Sequence, residues 1–88
     1  MKLHGEFIVR QIIDNTVAIP VGQTALQFNG MIMLNDVSKV IWECLEQEKN
    51  VETIVAAVTD AFEVSAEEAR NDILEFVDRL REMQLLED

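Results

Sequence analysis

Leu26-Gln27-Phe28-Asn29-Gly30-Met31-Ile32-Met33-Leu34-Asn35 decides the reading of this chain. Within it Phe28, Ile32 and Leu34 fall on one side of an extended backbone and Asn29, Met31 and Met33 on the other, so the spacing predicts a strand over about Gln27 to Leu34. Phe28, Ile32 and Leu34 are the side expected to face the helices. Asn35 is a favourable helix N-cap, and after it Val37, Val40, Ile41, Cys44 and Leu45 recur as one stripe at helical spacing. The apolar period therefore changes near residue 35, from a sheet half to a helical half.

Working outward, Phe7 to Ile13 is rich in β-branched residues, and Asp14-Asn15 supplies turn chemistry that returns the chain along Thr16 to Val21. Pro20 has no amide proton, which restricts it to a strand end or an unpaired side, and Gly22 provides the next turn. Downstream, Asn50 caps a helix carrying Ile54, Val55, Val58 and Phe62 along one side. Ser65 with Glu68 forms a capping box, and Val64 against Ala69 fits the accompanying hydrophobic staple. The expected fold is α+β and winged helix-turn-helix-like: a three-stranded antiparallel sheet followed by three helices, all in one domain over residues 1–88.

Seventeen acidic against seven basic residues give a formal charge of -10, which argues against a nucleic-acid partner because phosphate binding relies on clustered cations. A winged-helix DNA binder would place the third helix in the major groove, but Ala66 to Met83 holds six acidic residues against three arginines. One cysteine excludes an internal disulfide and a cysteine-rich metal site. No apolar run reaches the roughly 20 residues needed to span a bilayer, and Met1-Lys2-Leu3-His4-Gly5 has no signal-peptide core, so no membrane partner and a cytoplasmic location are expected.

The third helix carries the most informative pattern. At about 100° per residue, Ala69, Ile73, Phe76, Leu80 and Met83 lie within roughly 80° of one another and face inward. Arg70, Leu74, Val77 and Arg81 occupy a second sector of about 60°, centred roughly 110° from the first. If the third strand is a sheet edge beside this helix, Leu74 and Val77 make an apolar floor while unpaired strand amides and carbonyls accept an added strand. The plainer alternative, that Leu74 and Val77 only broaden the core-facing side, stays open at this point. The groove reading expects Leu74→Asp and Val77→Asp to weaken peptide binding and leave the fold intact.

No catalytic or metal constellation stands out, and no cofactor is implied. His4 is the only histidine, with neither an acid nor a second ligand near it in sequence, and reads as a solvated side chain. Cys44 lies on the inner stripe of its helix, where a thiol acts as a small hydrophobe. Trp42 beside that stripe reads as packing, Met31 and Met33 as adaptable contacts or exposed edge, and the acidic clusters near residues 46–48 and 67–68 as solvated faces.

The run Phe28-Asn29-Gly30-Met31 to Leu34-Asn35, then Ile41-Trp42, then Phe76 to Leu80 and Leu85-Leu86, resembles the PqqD family over nearly the whole chain. The resemblance implies a small, non-catalytic recognition element that binds the leader of a ribosomally made, modified precursor peptide. In that family the leader adds as a strand between the third strand and the third helix. Carried over by position, the peptide site would comprise Met31, Ile32, Met33 and Leu34 with Arg70, Ile73, Leu74, Val77 and Arg81. The implied partners are the precursor leader and a modifying enzyme, often of the radical S-adenosylmethionine class. Arg70 and Arg81 would offer charge-assisted contacts to acidic leader residues. A homodimer by strand exchange through the loop at Val21 to Ala25 also stays open.

Overall fold

The computed structural model describes residues 1–87. It contains β1 (Lys2–Leu3), β2 (Phe7–Ile12), β3 (Asn15–Pro20), α1 (Thr24–Gln27), β4 (Ile32–Leu34), α2 (Asp36–Glu46), α3 (Val51–Ala61), α4 (Ala66–Glu82) and β5 (Leu86–Glu87). The chain divides into two compact units, residues 5–36 and the remainder. The α+β expectation holds, with an antiparallel sheet ordered β2-β3-β4 and the three longer helices after it.

In the sheet unit, β2 and β3 pair from Phe7 opposite Pro20 to Ile12 opposite Asn15, so the hairpin loop is Ile13-Asp14. This places the turn one residue earlier than the composition suggests. Ile13 takes φ 56, a left-handed conformation unusual for a β-branched residue. β4 pairs with β3 through Thr16–Leu34, Val17–Met33 and Ala18–Ile32. It is shorter than the expected strand, because Thr24 to Gln27 turn into α1 and residues 28–31 lie outside the ladder. α1 is held by tertiary contact: the Thr24 hydroxyl accepts from the Glu6 amide at 2.7 Å, and Gly5, at φ 104, leaves the space that this approach requires. Phe7 and Phe28 meet edge to face, with ring centroids 5.9 Å apart.

The helical unit follows its caps. Asn50 Oδ1 accepts from the Thr53 amide at 2.9 Å and Ser65 Oγ from the Glu68 amide at 3.1 Å, starting α3 and α4 where the sequence places them. Their ends are less orthodox. After α2, the Lys49 amide donates to the Cys44 carbonyl and the Glu48 amide to the Leu45 carbonyl, with Glu48 at φ 58. After α4, the Leu85 amide donates to Leu80 and the Gln84 amide to Arg81, with Gln84 at φ 61. Both are Schellman closures made without the usual glycine. The second delivers Leu85 buried and sends the chain into β5, which pairs antiparallel with β1.

Buried residues of the helices are Ile41, Trp42 and Leu45 in α2, Ile54, Val55 and Val58 in α3, and Ala69, Ile73, Phe76, Val77 and Leu80 in α4. Trp42 is thus a packed residue. Val37, Val40 and Cys44, expected in the same stripe, are only half-buried, as are Phe62 and Met83.

Candidate functional site

β4 has a strand partner on one side only, among the described residues. Which of its groups face the open side follows from the ladder. A two-residue loop is closed by a hydrogen-bonded pair, here Ile12 with Asn15, and pairs then alternate along the hairpin. The Val21 amide donating to the Glu6 carbonyl at 3.0 Å agrees with that phase. Thr16 and Ala18 therefore turn their backbone groups to β4, where they meet Leu34 and Ile32. Met33 is left with its N–H and C=O directed away from β3. The same phase turns Pro20 away from β2, so its missing donor removes no bond of the hairpin.

The side chains of β4 alternate as expected. Ile32 and Leu34 are buried, whereas Met31 is 52% and Met33 58% exposed. β4 thus combines the outward backbone of Met33 with its exposed thioether, and Met31, just before the strand, adds a second. Next to it is a depression of about 340 Å³ lined by Asp14, Asn15, Thr16, Met33, Leu34, Asn35 and Asp36, whose two carboxylates favour donors and cations at that end.

On α4 the expected second sector divides. Leu74 is 40% exposed, but Val77 and Ile73 are fully buried. The expectation that Val77 lies lateral to the core is therefore corrected, and the plainer alternative holds for it. At about 100° per residue Val77 is only about 40° from Ile73, at the margin of the inward sector, while Leu74 lies about 100° from Ile73.

The arginines are already engaged. Arg70 Nη2 donates to both Glu52 oxygens at 2.6 Å. That hydrogen bond, reinforced by the guanidinium charge, holds the Glu52 carboxyl below the usual carboxylate range and raises the Arg70 pKa in turn. Arg81 Nη1 donates to Asp78 Oδ1 at 3.3 Å. A leader carboxylate would compete with these partners.

The remaining reactive side chains are quiet. His4 Nδ1 lies 3.1 Å from a Glu87 carboxylate oxygen, with both side chains mostly exposed. Burial, and then the Glu43 carboxylate, push the Cys44 thiol up, with Lys49 opposing, so its nucleophilic thiolate is disfavoured. Among the described residues no group of three or more His, Cys, Asp or Glu is placed to hold a metal ion. No helix of the described chain is long and apolar enough to cross a membrane.

Sheet and helices thus define a small α+β module with an open, apolar-lined strand edge. The family model described as coenzyme PQQ synthesis protein D (PqqD) matches residues 9–86, and the chain belongs to that family. Among solved structures, one described as TbiB1 in complex with the TbiA(beta) leader peptide superposes with a TM-score of 0.74 at 26% identity. The match covers 99% of this chain and 95% of that one. No curated protein sequence matches.

Proposed function

We propose that this chain, with its two units acting as one domain, binds the leader of a ribosomally synthesised precursor peptide as an added strand along β4. The observation that carries this reading is the outward backbone of Met33 on a strand with one partner, in a chain whose fold resembles a protein solved with a leader peptide. Met31 and Met33 take the leader side chains on their face, and the backbone from Met31 to Leu34 fixes its register. Leu74 is the member of the α4 set best exposed for a peptide side chain. Arg70 and Arg81 exchange their intramolecular carboxylates for acidic leader residues, while Ile73 and Val77 support the helix from within. The chain itself carries out no chemistry. It presents the bound precursor, in the cytoplasm, to a modifying enzyme, of which the radical S-adenosylmethionine class is the first candidate.

The test is a backbone-amide NMR titration with the leader of a precursor peptide encoded beside this gene. Saturable shifts at Met31 to Leu34, with a second group between Arg70 and Arg81, are expected. Shifts confined to other elements would overturn the reading.

A further inference from the structure

β2 is anomalous for a strand of its composition. Phe7-Ile8-Val9-Arg10-Gln11-Ile12 is apolar at four of six positions, yet every residue after Phe7 is exposed, with Ile8 at 38%, Val9 at 36% and Ile12 at 44%. It is also the outer strand opposite β4, so one side of it has no strand partner among the described residues. By the phase derived above, Val9 and Gln11 direct their N–H and C=O to that side. A long, apolar, outward-facing edge of this kind templates strand pairing unless something blunts it.

The charges on this edge specify a partner. Arg10 is the only cation in residues 5–36, it stands opposite Val17 within the sheet, and it forms no ion pair among the described residues. Glu6, just before β2, continues the ladder by accepting from the Val21 amide and lies four positions before Arg10, so strand alternation puts the two charges on one face, symmetrically about Ile8.

We propose that β2 pairs antiparallel with β2 of a second copy of this chain, about a two-fold axis at Ile8. Centres at Ile8, Val9 and Arg10 overlap three, five and five residues of β2, so the Ile8 register rests on its side-chain pairs and not on its length. Centring on Arg10 sets Arg10 against its own copy and Glu6 against Asp14, both like-charge pairs. A Val9 centre sets Arg10 against Ile8 and Phe7 against Gln11. Only the Ile8 centre puts each Arg10 opposite the other copy's Glu6, Ile8 opposite Ile8 and Phe7 opposite Val9, with no like charges opposed. The result is a continuous six-stranded sheet whose outer strands are the two copies of β4, both still open. It differs from strand exchange, since the segment at Val21 to Ala25 is occupied by the turn into α1 and stays within its own copy.

The experiment is sedimentation equilibrium of the full chain over a wide concentration range, with circular dichroism on each variant to verify folding. The wild type is expected to shift from monomer to dimer as concentration rises. Arg10→Glu and Glu6→Arg each oppose like charges across the axis and are expected to weaken the dimer about tenfold or more. The double variant Glu6→Arg/Arg10→Glu exchanges the two charges and is expected to return association to within about threefold of wild type. A wild type that stays monomeric throughout overturns the proposal. So does a double variant no better than the single ones, or a dimer indifferent to both reversals.

Discussion

β2 and β4 flank the same central strand and are both apolar, but the chain treats them differently. β4 hides Ile32 and Leu34 and offers only Met33, with Met31 exposed just before it, the alternation of a strand with one covered face. β2 covers almost nothing after Phe7. Apolar content alone therefore does not reveal which residues a chain covers for itself. What β2 leaves open is where a second copy is proposed to pair, the charges about Ile8 favouring that occupant.

The contrast between covered and uncovered apolar residues can be broken most sharply on α4. Val77→Asp buries a charge without a partner and is expected to cost about 3–5 kcal/mol in urea unfolding. Leu74→Asp, at an exposed position of the same helix, is expected to stay within about 0.5 kcal/mol of wild type while weakening leader binding about tenfold. Equal losses of stability would erase the distinction.

Proline sharpens the comparison of the two edges. Met33→Pro and Val9→Pro delete amides that point away from β3, and both sheets are expected to survive. Ile32→Pro and Ile8→Pro delete ladder amides and are expected to cost about 3 kcal/mol or more. Calorimetry with a leader should show binding lost in Met33→Pro and kept in Val9→Pro, with sedimentation giving the reverse for self-association. Loss of both activities in one variant would mean that the edges are not independent.

Smaller effects follow from the titrating groups. Because Arg70 holds the folded pKa of Glu52 below its unfolded value, their pairing contributes stability above the ordinary carboxylate range. That contribution is lost as pH falls through the depressed value. Glu52→Gln should remove that contribution, lowering neutral-pH stability slightly and flattening that part of an acid-unfolding curve. Smallest of all, Cys44 is expected to react with iodoacetamide more slowly than a free thiol at pH 8, and to lose that difference as pH rises through its elevated pKa.

The parts of the fold legible in the sequence were those with local causes. The caps at Asn50 and Ser65 are side-chain bonds spanning three residues, and the alternation about Ile32 needs only one strand. What escaped depends on distant contacts or uncommon backbone. α1 has no side-chain cap and is held by Thr24 against Glu6, eighteen residues away. β1 and β5 are two residues each, too short for any period. Glu48, Gln84 and Ile13 adopt positive φ where glycine or asparagine is the usual signal. On α4, a wheel drawn in two sectors placed Val77 with Leu74, and only its burial separates them. For the proposed site, the Met31 to Leu34 stretch was legible from alternation, whereas the engagement of Arg70 by Glu52 was not, because the partner lies on another helix.

The pairing of Lys2 with Glu87 and of Leu3 with Leu86 brings opposite extremes of the sequence to a single point on the helical unit. Polypeptide attached before residue 2 and polypeptide attached after residue 87 would therefore depart from adjacent positions. A module of this kind can be spliced into a loop of a larger enzyme as readily as appended to it, since host segments entering and leaving need to be only one strand spacing apart.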